Sequence, residues 1–292
     1  QDAHGALPDA IRDSSMVFNF TKPPIHGWAL TWMMQNGGYR DPKHIAMAYE
    51  PLVRWTDWYF KYRDTNGDGL PEYNHGNDSG WDNSTVMLAG MPVETPDLAS
   101  FLILQMDTLS SMAQQLGKPE EAKAWHERSD RLLKLMIEKF WKGDHFVALR
   151  AQDNSVIESD SLILYLPIVL GKRLPAQVRE PLIAGLLKQG RFRTSHGFSS
   201  EALASKFYTP DGYWRGPIWA PTTMLIAEGL ENAGKHQAAT SLRADFCKMA
   251  QQNGMSENYD AITGEGLRDP AYTWTSSVYL IFAHQLWKAE HP

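Results

Sequence analysis

Apolar positions recur every three or four residues along most of the chain, which is the period of a helix packed on one side. About nine segments carry this period, near residues 26–36, 43–62, 96–116, 119–141, 159–170, 175–189, 219–233, 235–253 and 274–288. Prolines expected in first turns and glycines expected at helix ends support these bounds. They are Pro96, Pro119 and Pro175, and Gly117, Gly171 and Gly234. The pattern predicts an all-α protein.

Three connections between the predicted helices are longer than the 2–8 residues typical of helix pairs. They cover residues 63–95, 190–218 and 254–273 and are rich in Gly, Asp, Asn, Trp and Tyr. Long structured loops usually carry function. The sequence of residues 144–157, with the polar turn Asp153-Asn154, predicts a short β-hairpin. Because no short repeat is visible, the paired helices favour a toroid or an irregular bundle over a solenoid.

Composition narrows the class of protein and its partners. The 292 residues are 43% hydrophobic and 21% charged, as in a soluble globular enzyme. A net charge of -6 without Lys or Arg runs argues against nucleic acid, and no apolar run approaches the ~18 residues of a membrane span. The single Cys247 excludes an intrachain disulfide. It fits a reducing cytosol or a periplasm, so compartment and oligomeric state stay open.

The first long loop places oxygen-bearing side chains at alternate positions, which suits a hard cation. The candidate Ca²⁺ ligands are Asp64, Asn66 and Asp68. Residue twelve of an EF-hand count would be His75, which cannot supply a bidentate carboxylate, so this is not an EF-hand. A structural turn rich in Asp and Asn is the alternative. Any ion would brace the loop, and the chemistry itself is expected to need no cofactor.

The same loop continues into residues 75–84, where Asp78 and Asp82 lie four apart and Trp81 precedes the second carboxylate. An indole wall can raise a carboxyl pKa enough for proton donation. A plain Asp-Ser-Gly turn is the alternative.

In the second loop Arg215 lies between aromatic residues and could bind sugar hydroxyls or brace the fold. In the third, Glu257 could activate water.

Sugar rings pack on indole and need polar partners for their hydroxyls, so the eleven Trp and eleven Tyr of the chain favour a carbohydrate ligand. Core packing is the alternative for each of them. The candidate sugar-binding residues are Trp28, Trp81, Asn83, Tyr213, Trp214, Arg215, Trp219, Tyr259 and Trp274.

Together these motifs resemble glycoside hydrolase families 63 and 37, which include processing α-glucosidase, trehalase and mannosylglycerate hydrolase-like enzymes. The matching motifs are Lys22-Pro23-Pro24-Ile25, Gly80-Trp81-Asp82-Asn83-Ser84, Gly212-Tyr213-Trp214-Arg215-Gly216-Pro217-Ile218-Trp219, Glu257-Asn258-Tyr259-Asp260, Thr263-Gly264 and Trp274. The resemblance implies one (α/α)6 barrel domain over residues 1–292. It also implies inversion at the anomeric carbon, with Asp82 as general acid and Glu257 as general base.

The sequence departs from these families in three ways. An arginine is common after the Trp-Asp motif, whereas Ser84 is followed here by Thr85, Val86 and Met87. Asp78 stands where a glutamate is frequent. About nine helices are too few for a complete barrel, so we expect an N-terminally shortened domain that lacks its first helices, or an incomplete ring.

The expected function is an inverting, exo-acting α-glycosidase that hydrolyses a small α-linked glucoside or mannoside. A degenerate, non-catalytic sugar-binding toroid is one alternative, although both carboxylates are present. A glucoamylase-like enzyme or an epimerase on a similar toroid is another. A helical scaffold for protein partners would not explain the polar, aromatic loops.

Overall fold

The computed structural model describes residues 1–291, and helices dominate them. Each segment with helical periodicity is helical, which confirms the all-α prediction. By their contacts the residues form two compact units. Unit 1 comprises residues 1–82, 89–141 and 147–157, and unit 2 comprises residues 83–88, 142–146 and 158 onward. Among residues 1–291, no helix combines the length and apolar character that crossing a bilayer requires.

Unit 1 is built around one buried helix. Its helices are α1 (His26–Asn36), α2 (Pro42–Tyr62), α3 (Gly76–Ser79), α4 (Pro96–Gln115) and α5 (Pro119–Phe140). The first turns of α4 and α5 contain the expected prolines. Helix α4 is buried along most of its length and packs against α1, α2 and α5, so it forms the core of this unit.

The strands of unit 1 are short and antiparallel. They are β1 (Ala10–Ile11), β2 (Met16–Val17), β3 (Glu72–Tyr73), β4 (Val93–Glu94), β5 (Ala148–Arg150) and β6 (Val156–Ile157). Strands β1 and β2 form a hairpin, and the others form a sheet in the order β3-β4-β5-β6. The β5–β6 pair is the predicted hairpin, and Asn154 in its turn has a φ of 56°. The β3–β4 pair joins residues 72–73, inside the first long loop, to residues 93–94 at its end.

Unit 2 surrounds a second buried helix. It contains a 3₁₀ segment, Leu162–Arg173, and the helices α6 (Ala176–Leu187), α7 (Ala220–Asn232), α8 (His236–Asn253) and α9 (Thr273–Glu290). Helix α7 packs against the 3₁₀ segment, α8 and α9. The segment is not a regular α-helix because Pro167 lies inside it and Gly171 has non-helical angles. Strands β7 (Asn258–Tyr259) and β8 (Gly266–Leu267) pair within the third long loop.

A glycine allows α1 and α4 to approach closely in unit 1. A Cβ at Gly27 would lie 2.3 Å from the Cα of Gln105, which no real side chain tolerates. The Gln105 side chain accepts the Gly27 N–H at 3.2 Å and donates to Thr56 Oγ1 at 2.9 Å. The contact therefore joins α1, α2 and α4.

We expect Gly27→Ala to lower the free energy of unfolding by about 1–3 kcal/mol, because the added methyl forces two backbones apart. Urea denaturation measures the change. Met47→Ala on the exposed face of α2, where Met47 is 74% exposed, should change stability by less than about 0.5 kcal/mol. Equal stability of the Gly27 variant and the wild type would contradict the close approach.

Candidate active site

In unit 1, the buried carboxylate of Asp78 organises the loop that carries Asp82. Its Oδ1 accepts the Thr21 N–H at 2.8 Å, and its Oδ2 accepts the N–H groups of Asn74 and His75 at 3.0 Å each. Carboxylate bonds to backbone N–H groups are stronger than neutral ones. Asp78 therefore ties the segment before Lys22 to the start of α3.

The Lys-Pro-Pro motif braces the same loop. Lys22 Nζ donates to the Asn77 carbonyl at 2.9 Å, and the Tyr59 hydroxyl donates to the Lys22 carbonyl at 2.5 Å. Burial, and then the negative charge of Asp78, raise the pKa of Tyr59 well above its usual range. The motif has a structural role that its sequence alone did not reveal.

Asp82 follows α3 at the end of this braced turn. Gly80 ends the helix with a φ of 71°, and the buried Trp81 donates its N–H to Ser79 Oγ at 3.0 Å. Asp82 itself is half-buried. A Cβ on Gly76 would lie 2.1 Å from the Asp82 carbonyl oxygen, so the helix start and the acid are in close contact. Trp28 of α1 is also half-buried in this unit.

Unit 2 brings four of the predicted aromatic residues together. The rings of Trp214 and Trp219 stack with centroids 4.0 Å apart and planes 7° apart. Tyr213 and Trp274 meet Trp219 edge-on at 4.9 and 5.7 Å. Trp219 is 1% exposed, whereas Tyr213 and Trp274 are half-buried. Trp219 is therefore a buried member of the cluster, and Tyr213 and Trp274 are its partly accessible members.

Glu257 lies beside this cluster on the β7–β8 hairpin. Its N–H donates to the Asp269 carbonyl at 2.7 Å, and its carbonyl accepts Trp274 Nε1 at 3.3 Å. Its side chain is half-buried. Burial, and then the negative charges of Glu257 and Asp269, raise the pKa of Tyr272. The backbone of Glu257 is thus held on both sides.

Tyr259 has a different position from the one expected. Its side chain is fully buried, its hydroxyl donates to the Gly254 carbonyl at 2.6 Å, and its ring meets Phe246 edge-on. Burial raises its pKa to about 12. A side chain enclosed in this way cannot reach a sugar, so Tyr259 supports the third loop instead of binding substrate.

Sequence reasoning missed Glu201, a fully buried carboxylate in unit 2. Its oxygens accept the hydroxyls of Thr85 at 2.8 Å and Ser205 at 2.7 Å. Burial raises its pKa, while these bonds and the Arg215 charge lower it. Arg215 is half-buried, and its Nε has no hydrogen-bond partner in the described residues. Only the polar run Ser199-Ser200-Glu201 inside a long loop hinted at this network.

The candidate calcium ligands of unit 1 first stabilise their own loop. Asp64, Asn66 and Asp68 accept the N–H groups of Gly69, Asp68 and Leu70 at 3.0–3.1 Å. Such side-chain turns are the structural alternative to metal binding. Asn66 Nδ2 also donates to Glu94 Oε1 at 2.7 Å, so the fully buried Glu94 joins the group.

Three carboxylate oxygens of this group remain buried without a hydrogen bond: Asp64 Oδ1, Asp68 Oδ2 and Glu94 Oε2. Burial, followed by the Asp68 charge, raises the pKa of Glu94 to about 7. Within residues 1–291, however, no three His, Cys, Asp or Glu side chains already form a metal-binding group. A cation would have to draw the carboxylates inward.

Comparison with known proteins identifies relatives along nearly the whole chain. A family model described as the mannosylglycerate hydrolase MGH1-like glycoside hydrolase domain matches residues 1–275. A mannosylglycerate hydrolase of Thermus thermophilus is 30% identical over a match that covers 40% of this chain and 28% of that enzyme. A glucosylglycerate hydrolase of Mycolicibacterium hassiacum is 23% identical over 95% of this chain and 78% of its own length.

A solved structure shows the same fold. The crystal structure of a GH63 mannosylglycerate hydrolase from Thermus thermophilus in complex with glucose matches with a TM-score of 0.83 at 20% identity. The match covers 97% of this chain and 84% of that one. It confirms the predicted (α/α)6 barrel fold.

We expect Asp78→Ala to lower the free energy of unfolding by about 3 kcal/mol or more, because three backbone N–H groups lose a charged acceptor. Denaturant titration tests this. Asp13→Ala, at an exposed position of the same unit, is the matched control and should stay within about 0.5 kcal/mol of the wild type. Wild-type stability in the Asp78 variant would show that the carboxylate does not organise the loop.

Proposed function

Because the chain belongs to the mannosylglycerate hydrolase MGH1-like family of glycoside hydrolases, we propose that Asp82 is its general acid and Glu257 its general base. Family membership confirms the predicted class, an inverting glycoside hydrolase that acts on a small glycoside. The roles of the residues and the identity of the substrate are our proposals.

The hydrogen bonds of Asp78 support the assignment of Asp82 as the general acid. Segment 75–84 contains two carboxylates, Asp78 and Asp82. Three backbone N–H groups bind Asp78 at 2.8–3.0 Å, so both of its oxygens already have hydrogen-bond partners. Asp82 is therefore the carboxyl of this segment that we assign to proton donation.

The base is supported by the rigid setting of Glu257. A general base must hold its oxygen steady against a water molecule, and the loop backbone is fixed by Asp269 and Trp274. In the proposed reaction, Asp82 gives its proton to the glycosidic oxygen as the bond to the anomeric carbon breaks. Glu257 takes a proton from the water whose oxygen forms the new bond on the opposite face.

We further propose that the substrate is an α-mannoside or α-glucoside of a short hydroxy acid. Two relatives are named for glycosides of glycerate, one with mannose and one with glucose. The half-buried rings of Tyr213 and Trp274 offer faces for a sugar. Arg215 is half-buried, and its guanidinium can donate to a sugar hydroxyl or to a substrate carboxylate.

We expect Asp82→Asn and Glu257→Gln each to lower kcat by about 10²–10⁴-fold, because each removes one proton transfer. Turnover should be measured on α-mannosylglycerate, α-glucosylglycerate and trehalose, with the first two preferred. Glu265→Gln, an exposed carboxylate on the same loop as Glu257, is the control and should keep wild-type turnover. Near-normal turnover in either catalytic variant would refute its assigned role.

We also propose that a Ca²⁺ ion braces the first loop through Asp64, Asn66, Asp68 and Glu94. The three unpaired buried oxygens support this, since a hard cation would neutralise charges that otherwise repel one another. An amide oxygen from Asn66 is a suitable fourth ligand. The ion would stabilise the loop ahead of Asp82 and would take no part in the chemistry.

Calcium should raise the melting temperature of EDTA-stripped protein, by roughly 2–4 °C for each kcal/mol of binding energy. Differential scanning calorimetry with CaCl₂ or EDTA measures this. Glu94→Gln should abolish the difference, whereas Asp153→Asn in the exposed β5–β6 turn should preserve it. Identical melting of the wild type with calcium and with EDTA would rule out the ion.

A further inference from the structure

The side chain of Asn83 is bound to the backbone of the Tyr-Trp-Arg-Gly-Pro turn, within unit 2. Its Nδ2 donates to the Gly212 carbonyl at 3.0 Å, and its Oδ1 accepts the Trp214 N–H at 2.9 Å. The amide therefore brackets Tyr213, pairing the backbone groups on either side of it. Both ends of the side chain are engaged by protein, which leaves it poorly placed to recognise a sugar.

The bracketed residue has an unfavourable backbone conformation. Tyr213 has a φ of 63°, in the left-handed region that is unfavourable for a residue with a side chain. Its carbonyl accepts Trp219 Nε1 at 2.9 Å, and the Arg215 carbonyl accepts the Thr209 N–H at 2.8 Å. Strain of this kind persists only where surrounding contacts hold it in place. The turn is thus held in one conformation, and Asn83 is hydrogen-bonded to it.

The two residues after Asn83 are anchored in the same way. Ser84 Oγ donates to Ser161 Oγ at 2.8 Å, and Thr85 Oγ1 donates to the buried Glu201 at 2.8 Å. All of these contacts lie within unit 2. The chain that leaves Asp82 is therefore held at three successive residues, and Asn83 is the first of them.

We propose that Asn83 is a positioning residue for the general acid: by clamping the turn at Gly212–Trp214, it sets the peptide group that follows Asp82 and so the direction of the Asp82 carboxyl. This proposal rests on the proposed function, because it takes Asp82 as the acid. It replaces the expectation that Asn83 contacts the sugar.

The clamp requires an amide at this position. Asn donates and accepts at once, as a peptide group does. An aspartate could accept the Trp214 N–H but would set a negative charge against the Gly212 carbonyl. Alanine would lose both bonds. A displacement of the acid by about 1 Å is enough to lower a rate by 10²-fold, so either change should impair proton donation without removing the acid.

The test compares two substrates that differ in their need for an acid. One is the better glycosylglycerate of the panel above, whose leaving oxygen must be protonated. The other is the α-glycosyl fluoride of the same sugar, whose fluoride departs with little help. We expect Asn83→Ala and Asn83→Asp to lower kcat on the glycosylglycerate by about 30-fold or more, and on the fluoride by less than about 3-fold. KM for both substrates should change little.

Two controls separate positioning from other causes. Asp82→Asn should show the same asymmetry with a larger loss, and if it does not, the proposed role of Asp82 fails independently of Asn83. Gly229→Ala should lower stability without changing the ratio between the two substrates, because its Cβ would lie 2.5 Å from the Ile168 carbonyl oxygen in the core of unit 2.

The behaviour of Asn83→Ala then decides the proposal. An equal loss of kcat on both substrates would overturn it, as would wild-type activity on both. A rise in KM for both the glycosylglycerate and the fluoride, with kcat unchanged, would instead return Asn83 to the sugar-binding residues and would also overturn the proposal.

Discussion

Many backbone N–H and C=O groups of the long loops have no partner within a helix, so they need other partners, and several of these partners are side chains. Asp78 binds three N–H groups ahead of Asp82, and Asn83 pairs a carbonyl and an N–H directly after it. Glu257 is held through its own backbone by Asp269 and Trp274. The placement of both proposed catalytic carboxylates depends on such bonds.

Much of the fold was predictable because helices have a short repeat. Burial on one face appears in the sequence every three or four residues, and the bounds of α1, α4 and α8 follow the periodicity closely. Strands β3 and β4 were missed because two-residue strands carry no periodicity and pair through distant partners. The 3₁₀ geometry of residues 162–173 was missed because the apolar run at residues 162–170 suits several buried helical forms.

The candidate site was predictable only in part, for a related reason. Asp82 and Glu257 stand in motifs whose order resembles known enzymes, so the sequence singled them out. Contacts between residues far apart in sequence determine the hydrogen bonding of Asp78, the burial of Tyr259 and the hydrogen bonds of Glu201. A single sequence does not encode such contacts in its local pattern. Asn83 illustrates the limit, since its partners lie 129 and 131 residues away.

The proposed mechanism is tested most directly by ¹H NMR of the first sugar released from an α-mannosylglycerate or α-glucosylglycerate, recorded before mutarotation. With Asp82 as acid and Glu257 as base acting from opposite faces, water attacks opposite the leaving group and the β-anomer must appear first. Initial release of the α-anomer would contradict this mechanism and the roles assigned to both carboxylates.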